Sequence, residues 1–224
     1  MKTKLYPKKL TSLYLIFSAL FLMATGFTSC KKKTEVTGTS YIQFVNASET
    51  SSPIDFYVDN NKTNPAPLTY NQSVGYFAIS TESHPAAIKI AATGATVVPF
   101  TLTSVPNVYY SIFYFGGITT AYSDDLTAPQ TGRARVRFIN LNLGLTANID
   151  FGITGGATLV TSLSSAINSS YMDVAPGASF SVYNTGTTTV LLTIPTTIQA
   201  GHIYTIYLSG DQLGSIAGNV LLQK

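Results

Sequence analysis

The chain has 224 residues, a length that fits one large domain or two small ones, and 45% of its residues are hydrophobic. Only 10% are charged, whereas Ser, Thr, Asn, Tyr and Gly are abundant, so the composition favours a polar-surfaced β protein over a charged helical one. Basic residues concentrate at the N-terminus: from residue 38 onward there are six basic and nine acidic residues, a difference of −3. Nucleic-acid binding is therefore not expected, because there is no basic stripe to neutralise phosphates.

Residues 1–29 have the three-part plan of a secretory signal peptide. Four lysines precede an apolar run at residues 13–23, and small or polar residues follow up to Cys30. The apolar run is too short to favour a spanning helix, although a membrane anchor helix that begins near Leu10 is the alternative. We therefore expect an exported protein.

Cys30 is the only cysteine, so no intramolecular disulfide can form. The segment Phe27-Thr28-Ser29-Cys30 resembles a bacterial lipobox, whose cysteine carries diacylglycerol and becomes the first residue after cleavage. Each buried methylene of such a lipid contributes about 0.8 kcal/mol to membrane binding, so two or three chains anchor a protein stably. We predict lipidation at Cys30, with residues 30–39 as a flexible tether to the membrane.

An internal repeat divides the rest of the chain at an offset of about 94 residues. Five matches recur in the same order. They are residues 42–46 with 136–140, 54–56 with 149–151, Tyr76 with Tyr171, 93–94 with 185–186, and 110–113 with 204–207. The repeat predicts two similar domains, at residues 40–123 and 134–224, joined by a linker at 124–133. Pro129 and Gly132 suggest that the linker is short and fairly stiff, with the domains end to end.

Each copy is predicted to consist of short strands separated by Gly, Pro, Asn and Ser turns. In the first copy strands are expected near residues 41–46, 54–59, 74–80, 86–91, 97–103 and 108–115. In the second copy they are expected near 134–141, 148–153, 169–174, 179–184, 188–194, 202–209 and 217–222. No part of the mature chain has a sustained helical period, so the fold class is all-β.

Two recurring residues predict details of this fold. Tyr110 and Tyr204 each begin a late strand just after a turn, which resembles the tyrosine corner of Greek-key sandwiches and favours two tandem immunoglobulin-like β-sandwich domains. Asn46 and Asn140 end the first strand of each copy on its apolar side, so we expect their side chains to fix the following loop.

With these residues in view, the chain resembles the bacterial family called domain of unknown function 4397. The similarity is carried by YIQFVNAS at residues 41–48, PIDFYVD at 53–59, DDLTAP at 124–129 and RVRFIN at 135–140, and it covers about residues 40–155. The resemblance implies a lipoprotein outside the cytoplasm with immunoglobulin-like β domains, and the chain looks like a member from the Bacteroidota. We therefore expect attachment to the outer membrane, facing the periplasm or the cell surface.

The residues that bear chemistry are few. With two histidines and one cysteine, a Cys/His metal site cannot be assembled, so no cofactor is expected. Asp124 and Asp125 are the only adjacent carboxylates; they are predicted to lie in a solvated turn and attract Arg133, Arg135 or Arg137, with a calcium site as the alternative. A Ser-His-Asp triad is compatible with the composition, but there is no Gly-x-Ser-x-Gly elbow.

Aromatic residues are the most suggestive feature: the chain has 14 Tyr and 12 Phe, and five tyrosines are expected at outward positions, namely Tyr57, Tyr70, Tyr109, Tyr114 and Tyr122. The favoured function is a non-enzymatic module that binds a glycan or protein partner through loops or an exposed sheet face. The alternatives are a structural subunit joined by strand addition and, least favoured, a hydrolase.

Overall fold

The computed structural model describes residues 38–210 and 214–224, and these residues belong to one compact unit. Cys30, the predicted signal peptide and most of the predicted tether lie outside the described residues. The described secondary structure consists of strands and turns, which confirms the all-β class. Within the same ranges, no helix has the length and apolar character needed to span a membrane.

The first copy folds into two facing sheets. Its strands are β1 (Thr39–Asn46), β2 (Ile54–Val58), β3 (Asn61–Lys62), β4 (Gln72–Ser80), β5 (His84–Ile90), β6 (Thr96–Leu102), β7 (Tyr109–Phe115) and β8 (Ile118–Asp124). The inner sheet has the order β4-β1-β7-β8 and the outer sheet β3-β2-β5-β6. Alternate residues of each strand, such as Ile42, Phe44, Ile54 and Phe56, fill the core between the two sheets.

The second copy repeats this arrangement. Its strands are β9 (Ala134–Asn140), β10 (Ile149–Ile153), β11 (Thr158–Leu163), β12 (Ile167–Asn168), β13 (Met172–Val174), β14 (Phe180–Asn184), β15 (Val190–Ile194), β16 (Ile203–Ser209) and β17 (Ala217–Leu222). The inner sheet is β12-β9-β16-β17, with β13 also paired to β9, and the outer sheet is β11-β10-β14-β15. The strand order of the first copy therefore recurs, as the sequence repeat implies.

The strand order differs from that of an immunoglobulin constant-type domain. In that fold the first two strands are neighbours in one sheet, whereas here β1 lies in the inner sheet and β2 in the outer sheet. The first strand of each copy pairs instead with the next-to-last strand of that copy, and the pair is parallel: β1 with β7 and β9 with β16. Four strands that were not expected from the sequence complete the sheets, namely β3, β8, β11 and β12.

The predicted tyrosine and asparagine roles are confirmed in both copies. The hydroxyl of Tyr110 accepts a hydrogen bond from the backbone N–H of Val105 at 3.3 Å, and that of Tyr204 accepts one from Gln199 at 3.2 Å. Asn46 accepts from the Ser48 N–H at 3.1 Å, and Asn140 accepts from the N–H two residues ahead at the same distance. Both contacts recur because each copy makes the same turn after the same strand.

The two inner sheets pack face to face, and the end-to-end arrangement predicted from the linker is wrong. A third apolar cluster lies between them, built from Val45, Phe113 and Tyr122 on one side and Ile139, Tyr207 and Leu221 on the other. The rings of Phe113 and Tyr207 meet edge to face at 5.2 Å. Alternation explains this layer, because Val45 of β1 and Phe113 and Phe115 of β7 point away from the core of their own sandwich.

A buried ion pair lies beside this apolar cluster. The guanidinium of Arg137 in β9 bonds the carboxylate of Asp124 at the end of β8, and both side chains are 0% exposed. Arg137 also donates to Thr205 Oγ1 at 2.8 Å and to the Ser123 carbonyl at 2.9 Å. The second Asp124 oxygen accepts from Ser111 at 2.7 Å and from Tyr76 at 2.6 Å. Both charges are therefore fully hydrogen-bonded, as burial requires.

The pair predicts a strong asymmetry between single and double substitution. Arg137→Met leaves the Asp124 carboxylate buried without its cation and is expected to lower the free energy of unfolding by about 3–5 kcal/mol. Asp124→Leu combined with Arg137→Met removes both charges and is expected to restore most of that loss. Urea denaturation of the three proteins measures the difference. Arg135→Met is the control, because Asp125, its partner, is half exposed and such pairs contribute less than about 1 kcal/mol.

Two interface tyrosines predict the response to alkali. Burial raises the pKa of Tyr122 to about 12, against the opposing effect of Arg137, and burial likewise raises the pKa of Tyr171 to about 12. The folded state thus holds these protons more tightly than the unfolded chain, whose tyrosines titrate near pH 10. Their contribution to stability is complete below about pH 10 and is lost as the pH rises to about 12. Urea denaturation at pH 9 and 11 should show this fall, and Tyr122→Phe should reduce its slope.

Candidate functional site

Of the five tyrosines expected to face outward, only some do so. Tyr57 and Tyr109 are half-buried, and Tyr109 stacks on Tyr41 with ring centroids 4.6 Å apart. The expectation is wrong for Tyr114, which lies in the first core, and for Tyr122, which lies between the inner sheets. Tyr70 is half-buried at the same interface, where its hydroxyl is 2.7 Å from Ser209 Oγ. Tyr57 is therefore the outward tyrosine that belongs to an outer sheet.

The surface around Tyr57 is the solvent side of the first outer sheet, here called the Tyr57 face. In β2 the side chains of Ile54, Phe56 and Val58 enter the core, so Tyr57 points the other way. Across the sheet Tyr57 pairs with Ala87, and Ala87 pairs with Pro99. The residues directly beside Tyr57 toward β5 and β6 are therefore small, whereas its partner in β3 is Lys62.

A shallow depression of about 230 Å³ lies on this face. It is lined by Tyr57, Asn60, Pro85, Ala86, Ala87, Lys89, Thr96 and Pro99. The Lys89 ammonium sits 4.2 Å from the centroid of the Tyr57 ring, within the range of a cation–π contact. The depression thus combines an aromatic ring, a cation and small polar groups.

Lys89 differs from Lys62, the other lysine near this face. Lys62 pairs with Asp55 at 2.8 Å, and Asp55 also accepts a hydrogen bond from the Asn64 amide at 2.9 Å. Asp55 points away from the core, as alternation predicts, yet these two partners bury it. Among the described carboxylates, none forms an ion pair with Lys89. Its positive charge is therefore available to a ligand that binds against Tyr57.

The second copy shows that the fold does not require these residues. Gly152 pairs with Ser181 at the place where Tyr57 pairs with Ala87, and Tyr183 pairs with Asp150 where Lys89 pairs with Asp55. A Cβ on Gly152 would lie 2.9 Å from the Ala157 carbonyl oxygen, so no side chain fits there. The Tyr57 face is therefore particular to the first copy.

The adjacent carboxylates Asp124 and Asp125 lie in different environments: Asp125 is exposed to solvent and Asp124 is buried. Asp125 pairs with Arg135 at 2.6 Å, and hydrogen bonds from Thr127 lower its pKa. The predicted attraction to arginines is thus confirmed, but the prediction of a solvated turn is wrong for Asp124, which is the buried partner of Arg137. Within the described residues, no group of three or more His, Cys, Asp or Glu side chains is placed to hold a metal ion.

The two histidines occupy different settings. His202 lies before β16, with Nδ1 3.1 Å from the Ala200 carbonyl oxygen. His84 begins β5 and lies between Ser80 and Asp59. These three residues come from a turn and from two strand ends, so their proximity was not expected from the sequence. No short motif links them.

A second depression, of about 280 Å³, opens between the edge strands β6 and β8. It is lined by Phe100, Thr101, Leu102, Thr103, Ile112, Thr119 and Ala121. Its polar groups are threonine hydroxyls and backbone, without a charged side chain. It therefore offers less chemical discrimination than the Tyr57 face, which we take as the candidate binding site.

The family model described as "Domain of unknown function (DUF4397)" matches residues 40–152, half of the chain. The chain belongs to this family. The match covers the first sandwich and continues through β9 into β10, so it contains both Asp124 and Arg137. The comparison with curated proteins finds no relative of this DUF4397 protein.

Solved structures give distant likenesses. A carbohydrate-binding module of family CBM26 from Eubacterium rectale Amy13K, solved with maltoheptaose, is 11% identical with a TM-score of 0.28, covering 80% of this chain and 95% of that one. The TIE protein of Bacillus anthracis is 8% identical with a TM-score of 0.26, covering 80% and 34%. A family 41 module from streptococcal virulence factors, described as recognising α-glucan, is 12% identical with a TM-score of 0.26, covering 80% and 97%. Scores this low carry no argument about ligands.

Proposed function

We propose that this DUF4397 protein is a lipid-anchored binding module of the cell envelope, and that the Tyr57 face is its glycan-binding surface, which acts without catalysis. The observation that carries the proposal is the half-buried Tyr57 ring, which lines a shallow depression beside Lys89, a lysine without a carboxylate partner. An exposed aromatic ring offers apolar area to the C–H face of a sugar, while its hydroxyl and nearby polar groups bond the sugar hydroxyls.

Lys89 narrows the class of ligand. A cation held over an aromatic ring and without a carboxylate partner attracts negative charge, so acidic glycans that carry carboxylate or sulfate groups fit better than neutral ones. The second copy supplies no equivalent cation, since Tyr183 takes that place. One ligand-binding surface per chain follows from this difference.

The lipid anchor is the part of the proposal that rests on sequence alone. Cys30 lies nine residues before β1 and follows the lipobox-like segment Phe27-Thr28-Ser29. A lipid on Cys30 would hold the two sandwiches at the membrane surface, on a short tether. Outer-membrane attachment, facing the periplasm or the cell surface, is proposed on the same ground.

Glycan binding is tested with residues 38–224 on an array of neutral and acidic glycans. Tyr57→Ala is expected to lower affinity about tenfold or more, because it removes the stacking surface. Lys89→Met should weaken binding to acidic glycans only, and more so at low salt. Tyr183→Ala, on the matching sheet of the second copy, is the control and should bind as the unaltered protein does. Equal binding by the Tyr57→Ala protein contradicts the proposal.

Lipidation is tested in cells fed a labelled fatty acid. The unaltered chain should incorporate the label and remain with membranes, whereas Cys30→Ser should incorporate none and be released. Ser29→Ala keeps a small residue before the cysteine and is the matched control, with labelling expected to persist. Label in the Cys30→Ser protein would show that the anchor lies elsewhere.

A further inference from the structure

Three polar side chains meet at one end of the first sandwich with the connectivity of a nucleophile, a base and an orienting acid. His84 Nε2 lies 2.9 Å from Ser80 Oγ, and His84 Nδ1 lies 2.6 Å from Asp59 Oδ2. A nucleophile within hydrogen-bond reach of a base that a third group orients is the geometric signature of covalent catalysis. Geometry and not chain order identifies such a triad, so the missing Gly-x-Ser-x-Gly motif does not exclude it.

The fold holds each member in place. Asp59 and Asn60 form the two-residue turn between β2 and β3, both with positive φ (50° and 63°), and the Asp59 N–H donates to the Pro85 carbonyl at 2.8 Å. Ser80 ends β4 opposite Thr39, and His84 starts β5. Since β4 belongs to the inner sheet and β5 to the outer sheet, the group lies where the chain crosses between them.

A reactive serine needs a base that is held in place and a hydroxyl that a reagent can reach, and His84 and Ser80 meet these two needs. The His84 side chain is 13% exposed, so its ring is held by its surroundings, whereas Ser80 is exposed and open to a reagent from solvent. His84 alternates with Pro85, which lines the Tyr57 depression on the other side of β5. The His84 side chain therefore lies on the opposite side of β5 from the depression, whereas Asn60 and Pro85, the chain neighbours of Asp59 and His84, line it.

The partners fix the tautomer of the neutral ring. A carboxylate only accepts hydrogen bonds, so Nδ1 must carry the proton that Asp59 receives, which leaves Nε2 to accept the Ser80 hydroxyl proton. Nε2 also lies 3.1 Å from the Ser80 carbonyl oxygen. Once Nε2 is protonated, that carbonyl oxygen provides an acceptor for the new N–H.

We propose that Ser80 is a nucleophile that accepts acyl groups from carboxylic esters, with His84 as its base and Asp59 as the residue that positions His84. Ser80 Oγ attacks the ester carbonyl carbon while its proton passes to His84 Nε2. The bond from that carbon to the alcohol oxygen then breaks, and the alcohol leaves with the proton from Nε2. Water next attacks the acyl-serine, gives a proton to Nε2, and releases the carboxylic acid as Ser80 regains its proton.

A fluorophosphonate probe tests the nucleophile directly, because Ser80 Oγ would form the bond to phosphorus as fluoride leaves. The full chain, purified in detergent, is treated with the probe, and the modified peptide is identified by mass spectrometry. The label is expected on Ser80 and absent from Ser80→Ala. Ser83→Ala, an exposed serine of the same crossing, is the matched control and should be labelled as the unaltered chain is.

Two further variants test whether Ser80 reacts because His84 and Asp59 activate it or only because it is exposed to solvent. His84→Ala should slow labelling about 100-fold, in the range of general-base contributions, and added imidazole should restore part of the rate. Asp59→Asn should also slow labelling while the thermal midpoint stays near that of the unaltered chain. Turnover of p-nitrophenyl acetate should follow the same order. Labelling of Ser80→Ala at the unaltered rate, or His84→Ala and Asp59→Asn proteins that fold and react unchanged, would overturn the proposal.

Discussion

The ion pair between Arg137 and Asp124 constrains the whole molecule, because neither charge has access to water and both must be satisfied by protein groups. Arg137 directs its donors at Thr205 in its own inner sheet and at Ser123 and Asp124 in the other. A slide of one inner sheet across the other would break these contacts and leave a buried charge unpaired. The pair thereby fixes the register of two sheets whose apolar contacts alone are less directional.

The two copies meet through equivalent surfaces, which gives the interface an internal two-fold character. Gln43 pairs with Ser111 in one inner sheet as Arg137 pairs with Thr205 in the other, and Phe113 and Tyr207 stand at matching places in β7 and β16. Such a self-complementary surface resembles a homodimer contact contained in one chain. The interface departs from two-fold symmetry at one position, where the first copy has the neutral Gln43 and the second has the charged Arg137.

The sequence was informative wherever a residue's role depends on its own strand and turn. The repeat, the all-β class and the backbone contacts of Tyr110, Tyr204, Asn46 and Asn140 are local, and each recurs in the structure. Strand β8 escaped prediction because ITTAYSD has little apolar alternation; its buried residues, Tyr122 and Asp124, are covered by the other copy. Contacts between distant segments, such as that of His84 with Asp59, have no local signal in one sequence.

The location of the interface explains where functional surfaces remain. Each inner sheet has one face in its own core and the other against its partner, so it has little surface to offer a ligand. The outer sheets and the ends of the sandwiches are not covered in this way, and the two copies differ there. The first copy, for example, has Tyr57 at the position of Gly152 in the second. When the equivalent faces of two copies are buried against each other, the remaining surface of each copy can carry binding or reactive groups that the other copy lacks. In this protein the first copy carries two such features, the Tyr57 face and the Ser80–His84–Asp59 group.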